Sequence, residues 1–220
     1  MKKKKTIAKR WWIEVVEILD PNLPRRLADK PNVKISVRVS QPTAANVQRH
    51  HERAQQTGAK IVHCCGFDSI PMDIGVWALQ DAVHEKYGSY CNSISMLVKA
   101  TKGTASGGTL ASMMNLIKES REDRNVARIL IHPYSLNPEG EREGPDERDQ
   151  QDVVYSEAVD AWTAPFVMAG VNTKVVRRSN ALMGFLYGEE FSYQEALLTG
   201  SGWGGYARAM QVTIALGGIV

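Results

Sequence analysis

Apolar side chains in the first part of the chain fall on one stripe at helical spacing. The spacing predicts a basic amphipathic helix over residues 7–19, with Lys and Glu on its other faces. The stripe consists of Ile7, Trp11, Val15, Ile18 and Leu19. Two roles stay open for this helix: burial of its tryptophans against the body of the protein, or contact with an anionic membrane surface.

Strand and helix patterns then alternate. Apolar residues from Val33 to Val39 alternate with polar ones, which predicts a half-exposed strand. A helix over residues 44–57 ends at Gly58, and a buried strand over residues 61–65 follows it. This order is typical of a layered α/β protein.

The same alternation continues in the middle of the chain. A helix begins at Ser69 to Pro71 and stops near Gly88, a strand runs from Ile94 to Ala100, and another helix begins at Thr109. The apolar stripe that we expect the first of these helices to bury contains Ile70, Ile74, Trp77 and Ala78.

The last third of the chain is predicted to hold a loop and two helices. Residues 137–152 carry seven acids and two arginines, which favours a solvated surface loop. Thr163 is expected to cap a helix that has Pro165 in its first turn and runs to about Asn180. Phe191 and Tyr193 indicate a short strand, and residues 203–220 form an apolar helix.

Composition and charge exclude several protein classes. The 220 residues carry a net charge of +3, but six of the 27 basic residues lie within the first ten positions, so the rest of the chain is net −3. A nucleic-acid-binding body is therefore not expected. The three cysteines are too few for a disulfide framework and favour a reducing compartment. No window reaches the roughly 18 apolar residues of a spanning helix, so we expect a cytoplasmic protein.

The first motif that could bind a ligand or take part in catalysis lies where the predicted strand over residues 61–65 meets the next helix. Gly66 ends the strand, and free backbone N–H groups at the helix start would attract an anion or a polar ligand edge. The alternative is that Asp68 and Ser69 simply cap the helix. Asp73, one turn further, is expected to be a surface acid that interacts with the helix dipole.

A second motif spans residues 102–109 between a predicted strand and helix. Its adjacent glycines would let a ligand approach the backbone, but its spacing fits neither a P-loop nor a Rossmann fingerprint, and a tight turn is an equal alternative. The histidines and cysteines lack zinc-ligand spacing, so no metal is expected. Cys64 and Cys65 are adjacent on a predicted strand and should therefore point to opposite faces.

These motifs resemble the saccharopine dehydrogenase-like oxidoreductases, and within that family the bacterial trans-acting enoyl reductases. The resemblance covers residues 46–220, and its segments occur in order. They are residues 51–54, 58–71, 106–109, 133–138, 162–168 and 176–181.

The resemblance implies a mixed fold and a redox activity. It implies that residues 46–68 end a Rossmann-type nucleotide-binding domain and that residues 69–220 form an α+β substrate domain. The cofactor would be NADP or NAD, and the reaction would transfer a hydride to the carbon–carbon double bond of an acyl substrate, free or carrier-bound. The candidate catalytic residues are Asp68, Ser69 and Ser106, and the candidate cofactor-binding residues are Gly66, Phe67, Gly107, Gly108 and Thr109.

Residues 1–45 do not resemble the family's nucleotide-binding domain. They would be at most a remnant of it, and we predict a truncated chain that lacks the family's Gly-rich dinucleotide loop and binds the cofactor poorly. The alternative function is a non-catalytic chain that docks on a membrane or a partner enzyme through residues 1–19. A homo-oligomer is also left open.

Overall fold

A computed structural model describes residues 12–15, 34–37, 43–66, 69–99 and 118–217. The described residues form two compact units, one ending at Cys65 and the other beginning at Gly66. Both helices and sheets are present, so the mixed α/β class is confirmed.

The first unit contains a parallel three-stranded sheet. Its strands are β1 (Trp12–Val15), β2 (Lys34–Val37) and β3 (Lys60–His63), in that order, and α1 (Thr43–Thr57) connects β2 to β3. A parallel pair needs such a crossover. The predicted strand around Ile35 and the predicted α1 are confirmed, and α1 ends at Gly58 with a left-handed φ of 71°. That this sheet is a remnant of a Rossmann-type domain stays a prediction.

The predicted helix over residues 7–19 is wrong where the structure describes it. Trp12–Val15 is the strand β1, whose residues align with β2 from Trp12↔Lys34 to Val15↔Val37. Aromatic and β-branched residues favour strands. A short apolar run is compatible with both the helical and the strand period, and pairing with a neighbouring strand decides between them. A docking helix at the start of the chain therefore loses its basis over these four residues.

The second unit combines a mixed four-stranded sheet with several helices. The sheet order is β4-β7-β6-β5, with β4 and β7 parallel and the other pairs antiparallel. The elements are α2 (Ile70–Tyr87), β4 (Ser93–Val98), a helical stretch at residues 118–122, α3 (Arg124–Ile131), β5 (Val154–Ser156), a 3-10 turn (Glu157–Val159), β6 (Ala161–Pro165), α4 (Ala169–Leu182), β7 (Ser192–Gly200) and α5 (Gly202–Gly217).

The ends of α2 are as the sequence predicts. The helix starts after Ser69 with Pro71 in its first turn, and Gly88 closes it with a φ of 71° while its N–H bonds the His84 carbonyl. The predicted buried stripe is wrong, because Ile74 and Trp77 are 55% and 52% exposed.

The face of α2 that is buried includes Val76 and Gln80. The Gln80 amide both donates to the Cys91 carbonyl and accepts from the Cys91 N–H, so a polar residue occupies a position that periodicity assigns to an apolar one. The core of this unit is a cluster contributed by α2, β4, α4, β7 and the segment that joins α4 to β7. It contains Val76, Ile94, Val176, Tyr187, Phe191 and Tyr193.

The predicted start of the helix near Thr163 is also wrong. Thr163 and Pro165 belong to β6, which pairs with β5 and β7, and the helix α4 begins at Ala169. The Thr163 hydroxyl donates to the Val154 carbonyl instead of capping a helix. The predicted strand is confirmed in part, because β7 contains Tyr193 but begins after Phe191 and is nine residues long. The last predicted helix is confirmed, because α5 covers the described part of residues 203–220.

The acidic segment at residues 137–152 is not simply a solvated loop. It has no helix or strand, but Asn137 and Asp146 are buried within it. Buried polar groups need partners, and Asp146 finds them on α4 and β7. Among the described helices, none combines the length and the apolar composition needed to cross a bilayer.

Candidate functional site

The amino end of α2 contains the predicted site residues that the structure describes. Gly66 and Ser69 are buried there. Phe67, Asp68 and the predicted loop with Ser106, Gly107, Gly108 and Thr109 lie outside the described residues, as does the helix expected from Thr109. The grouping of the two motifs into one site therefore stays a prediction.

The expectation of free N–H groups at this helix start is wrong for Ser69 to Asp73. The Ser69 and Ile70 N–H groups donate to the Gly66 carbonyl at 3.1 and 3.0 Å. Pro71 has no N–H, and the N–H groups of Met72 and Asp73 donate to the Ser69 carbonyl, both at 3.2 Å. An anion would find no unbonded donor in this stretch, so these residues do not fit a dinucleotide phosphate.

Ser69 occupies the N-cap position without capping through its side chain. Its backbone is at φ −128° and ψ −42°, and its hydroxyl makes no capping hydrogen bond. The alternative that Ser69 serves as a side-chain cap is therefore not supported. The buried hydroxyl remains the polar group that this residue offers to a ligand.

Asp73 is not the surface acid that the sequence suggests. It is partly buried, and its carboxylate accepts a hydrogen bond of 3.0 Å from the Ser179 hydroxyl on α4. Burial raises the pKa of this carboxyl, and the Ser179 hydrogen bond opposes the rise. The pair joins α2 to α4 one turn beyond Ser69.

A Gly-rich turn that the sequence reasoning missed lies between β7 and α5. Gly200, Gly202 and Gly205 have GxGxxG spacing, so the expectation that the chain lacks such a loop needs correction. Gly200 and Gly202 have φ values of 105° and 63°, and a Cβ on Gly205 would lie 1.9 Å from the Gly200 carbonyl oxygen. A search for this spacing over the whole sequence would have found it.

The packing of β7 against α5 explains these glycines without a ligand. Two of them allow a tight left-handed turn, and the third lets the helix approach the strand. The strand β7 also has an antiparallel neighbour, β6, whereas a dinucleotide-binding unit has parallel strands around its first turn. The spacing therefore assigns no cofactor to this turn.

A buried polar cluster between α4, β7 and the acidic segment is the main feature that the sequence reasoning did not find. The Arg177 guanidinium donates to the Asp146 carboxylate at 2.7 Å, to the Tyr193 carbonyl at 3.0 Å and to the Pro133 carbonyl at 3.2 Å. Asp146 also accepts from the Ser192 hydroxyl at 2.5 Å and from the Tyr193 N–H at 3.2 Å. Its partners are distant in sequence, so no local signal predicts them.

Two ionisable groups beside this ion pair have shifted pKa values. Lys174 donates to the Leu130 and Gly170 carbonyls, and burial lowers its pKa to about 8. Glu195 accepts from the Asn172 amide at 3.0 Å and from the Tyr193 hydroxyl at 2.8 Å, and burial raises its pKa.

Groups with such pKa values are suited to proton transfer, and perturbed values often mark functional sites. Here, however, Lys174 and Glu195 are both buried, and their polar atoms bond to other parts of the same unit. The cluster therefore acts as a scaffold that holds α4, β7 and the acidic segment together. Within the described ranges, no three His, Cys, Asp or Glu side chains come together in a way that could hold a metal ion.

Comparison with known proteins finds several trans-acting enoyl reductases. The chain is 39% identical over 163 residues to a putative trans-acting enoyl reductase of Mycobacterium tuberculosis, an alignment that covers 71% of this chain and 39% of that protein. It is 32% identical over 183 residues to the trans-acting enoyl reductases of Mycobacterium leprae and Mycobacterium bovis, covering 80% of this chain and 44% of each relative.

The chain thus spans less than half the length of these curated relatives. No protein-family model matches it, and no solved structure does. None of the relatives just named is called a saccharopine dehydrogenase, so that wider resemblance stays a prediction. Over more than two thirds of its length, the chain is similar in sequence to trans-acting enoyl reductases.

Proposed function

We propose that the chain has an enoyl-reductase-like role, the reduction of a carbon–carbon double bond in an acyl substrate. The observation that carries this proposal is the identity of 39% over 163 residues with a relative of that name. The name of that relative describes an enzyme that acts in trans, so the substrate class we propose is an acyl group carried by another protein. The proposed reductant is a reduced nicotinamide dinucleotide, NADPH or NADH.

The role that we propose for Ser69 is hydrogen bonding to the acyl oxygen. Reduction of an enoyl thioester builds negative charge on that oxygen, and a preorganised donor stabilises it. The Ser69 hydroxyl makes no capping bond, whereas the neighbouring N–H groups already have partners, so the side chain is the available donor. Asp68 and Ser106 stay candidate catalytic residues, and Gly66, Phe67, Gly107, Gly108 and Thr109 stay candidate cofactor contacts.

We also propose that this chain binds the nucleotide weakly by itself. The bonded N–H groups from Ser69 to Asp73 support this, because they offer no pyrophosphate contact at the start of α2. A thermal melt with rising NADPH, and with NADH in parallel, measures the binding. A ligand at a hundred times its dissociation constant adds about 2.7 kcal/mol to the stability of the fold. A shift of that size at micromolar nucleotide would contradict weak binding.

The reductase role is tested with a crotonyl thioester and excess reduced nicotinamide, by the loss of nicotinamide absorbance. We expect turnover by the wild-type chain, a fall of about tenfold to a thousandfold in Ser69→Ala, and no change in Ser95→Ala, which removes an exposed serine hydroxyl. Equal rates in the two variants would remove Ser69 from the site. No turnover with either nucleotide would contradict the reductase role for this chain.

A further inference from the structure

Two adjacent cysteines lie at the end of the first unit. Cys64 and Cys65 directly follow β3, and both are partly buried thiols. Neither the predicted site nor the polar cluster of the second unit uses them. Adjacent thiols are a chemical feature in their own right, because one atom can bond both sulfurs.

The sequence predicts that the two cysteines point to opposite faces of a strand, but in the structure they lie beyond the end of that strand. Residues on a strand alternate between faces, and the sequence places both cysteines on a strand. In the structure β3 ends at His63, and Cys64 has a left-handed φ of 55°. This conformation breaks the alternation and is unfavourable for a residue that has a Cβ. Backbone outliers of this kind concentrate at functional sites.

The Cys65 side chain turns back along the chain. Its sulfur lies 3.8 Å from the His63 carbonyl oxygen, as a donor to it. That carbonyl belongs to the peptide group that precedes Cys64. The Cys65 sulfur therefore lies beside the peptide group that joins His63 to Cys64, directly before the residue that carries the other thiol.

The chemistry of this turn favours one class of ligand. A disulfide between neighbours would be strained, because Cα atoms joined by a trans peptide are about 3.8 Å apart, below the usual 4.4–6.8 Å of disulfides. In the described part of the chain no third ligand completes a metal site. A thiophilic atom that needs two sulfur bonds and inserts between them enlarges the ring and relieves that strain.

We propose that Cys64 and Cys65 form a vicinal dithiol site that binds trivalent organic arsenicals. An arsenoxide with one organic group loses its oxygen as water. The two S–H bonds break, two S–As bonds form, the two thiol protons leave with the oxygen, and no atom changes its oxidation state. The site does not depend on the proposed reductase function.

The test uses the full chain and phenylarsine oxide, read by intact mass. We expect one arsenical per chain, retained in excess glutathione and released by 2,3-dimercaptopropanol, because only a dithiol competes with two sulfurs held together. Cys64→Ser and Cys65→Ser should each lose this retention. Cys91→Ser is the matched control and should keep it, since Cys91 lies in the second unit against the core.

A second measurement needs no variant. Iodoacetamide alkylation followed by peptide mapping should show Cys64 and Cys65 both protected by bound arsenical in the wild-type chain, with Cys91 labelled equally with and without it. The proposal is overturned if glutathione strips the arsenical from the wild type, if either single variant at Cys64 or Cys65 retains it, or if protection falls on Cys91.

Discussion

Arg177 on α4 and Asp146 in the acidic segment form a fully buried ion pair. The Nε donates to the carboxylate at 2.7 Å, and both side chains are only 2% exposed. Taking two charges out of water is costly, but both groups make further hydrogen bonds, to Pro133, Ser192 and Tyr193. The pair therefore fixes a segment without regular secondary structure against the sheet.

Asp146→Asn should destabilise the protein strongly. The substitution removes the carboxylate at 2.7 Å and leaves the buried Arg177 guanidinium with Asp149, 3.6 Å away, as its remaining counterion. We therefore expect a loss of about 3 kcal/mol of unfolding free energy, the low end of the range for a broken buried pair. Urea titration followed by circular dichroism measures the loss. Glu122→Gln is the control, because it breaks the exposed Lys118–Glu122 pair of 3.9 Å and should change stability by less than about 0.5 kcal/mol. Similar losses in both variants would contradict the structural role of Asp146.

Gly205→Ala should also destabilise the chain, for a steric reason. The added Cβ would lie 1.9 Å from the Gly200 carbonyl oxygen, so α5 must move away from β7. Overpacking of this kind costs about 1–3 kcal/mol. The neighbouring Gly204→Ala is the matched control, because its Cβ would meet no atom within 4 Å and alanine favours a helix by up to about 1 kcal/mol.

Thermal melts and urea titrations of the two variants give the comparison directly. We expect Gly204→Ala to melt at or above the wild-type temperature and Gly205→Ala to melt below it. If Gly205→Ala is as stable as Gly204→Ala, the close approach of α5 to β7 is wrong.

The contrast between α2 and the contacts of Asp146 shows which features can be predicted from the sequence alone. The ends of α2 are marked by residues within or beside it, Pro71 and Gly88, so local patterns are enough to predict them. Asp146 is held by residues 31 to 47 positions away, and in the sequence it looks like any acid of a polar loop. Periodicity likewise misplaces Trp77, because exposure depends on what packs against a helix and not on its spacing.

The error at Thr163 and Pro165 has the same origin. Thr followed two residues later by Pro is a helix-start signal. These residues also fit the end of β6, because β5 pairs with β6 only up to Thr163 and Pro165 has a neighbouring strand on one side alone. Pairing of β6 with both β5 and β7 decides between the two, and the sequence does not show that pairing. In the candidate site, the hydroxyl of Ser69 was predictable from its motif, but the bonding of the N–H groups around it was not.

Lys174 should make stability rise with pH in the alkaline range. Its pKa is about 8 in the folded chain, below the ordinary value of 10.5, because burial disfavours the charged form. Between these values the unfolded state binds more protons than the native state, so the unfolding free energy gains up to about 1.4 kcal/mol per pH unit. Below pH 8 this lysine is charged in both states and does not change the unfolding free energy with pH.

Urea titrations between pH 7 and 10.5 test this with Lys174→Met. We expect wild type to gain stability relative to this variant as the pH rises from about 8. The same comparison with Lys99→Met, which removes an exposed lysine, should give a difference that stays constant. A constant difference for Lys174→Met as well would show that the ammonium group is not buried.

Glu195→Gln should be tolerated at neutral pH. It should also remove a dependence of the unfolding free energy on pH in the acid range. Burial raises the Glu195 pKa, so above the ordinary value of 4.5 the native state holds a proton that the unfolded state has lost. The contribution of Glu195 to the unfolding free energy is therefore largest below pH 4.5, and it falls as the pH rises through the raised pKa. Glutamine resembles the protonated acid and has no proton to lose in this range.

The neighbouring amide gives a structural reason for tolerance. The buried Oδ1 of Asn172 has no hydrogen-bond partner, while the Tyr193 hydroxyl donates to Glu195. With the Asn172 amide turned over by 180°, the glutamine side chain of the Glu195→Gln variant would accept from Tyr193 and donate to that Oδ1. We expect urea titrations from pH 4 to 8 to show Glu195→Gln gaining stability relative to wild type as the pH rises, while exposed Glu190→Gln shows a constant difference. A loss of more than about 3 kcal/mol at pH 7 in Glu195→Gln would instead indicate that the native state needs the ionised carboxylate.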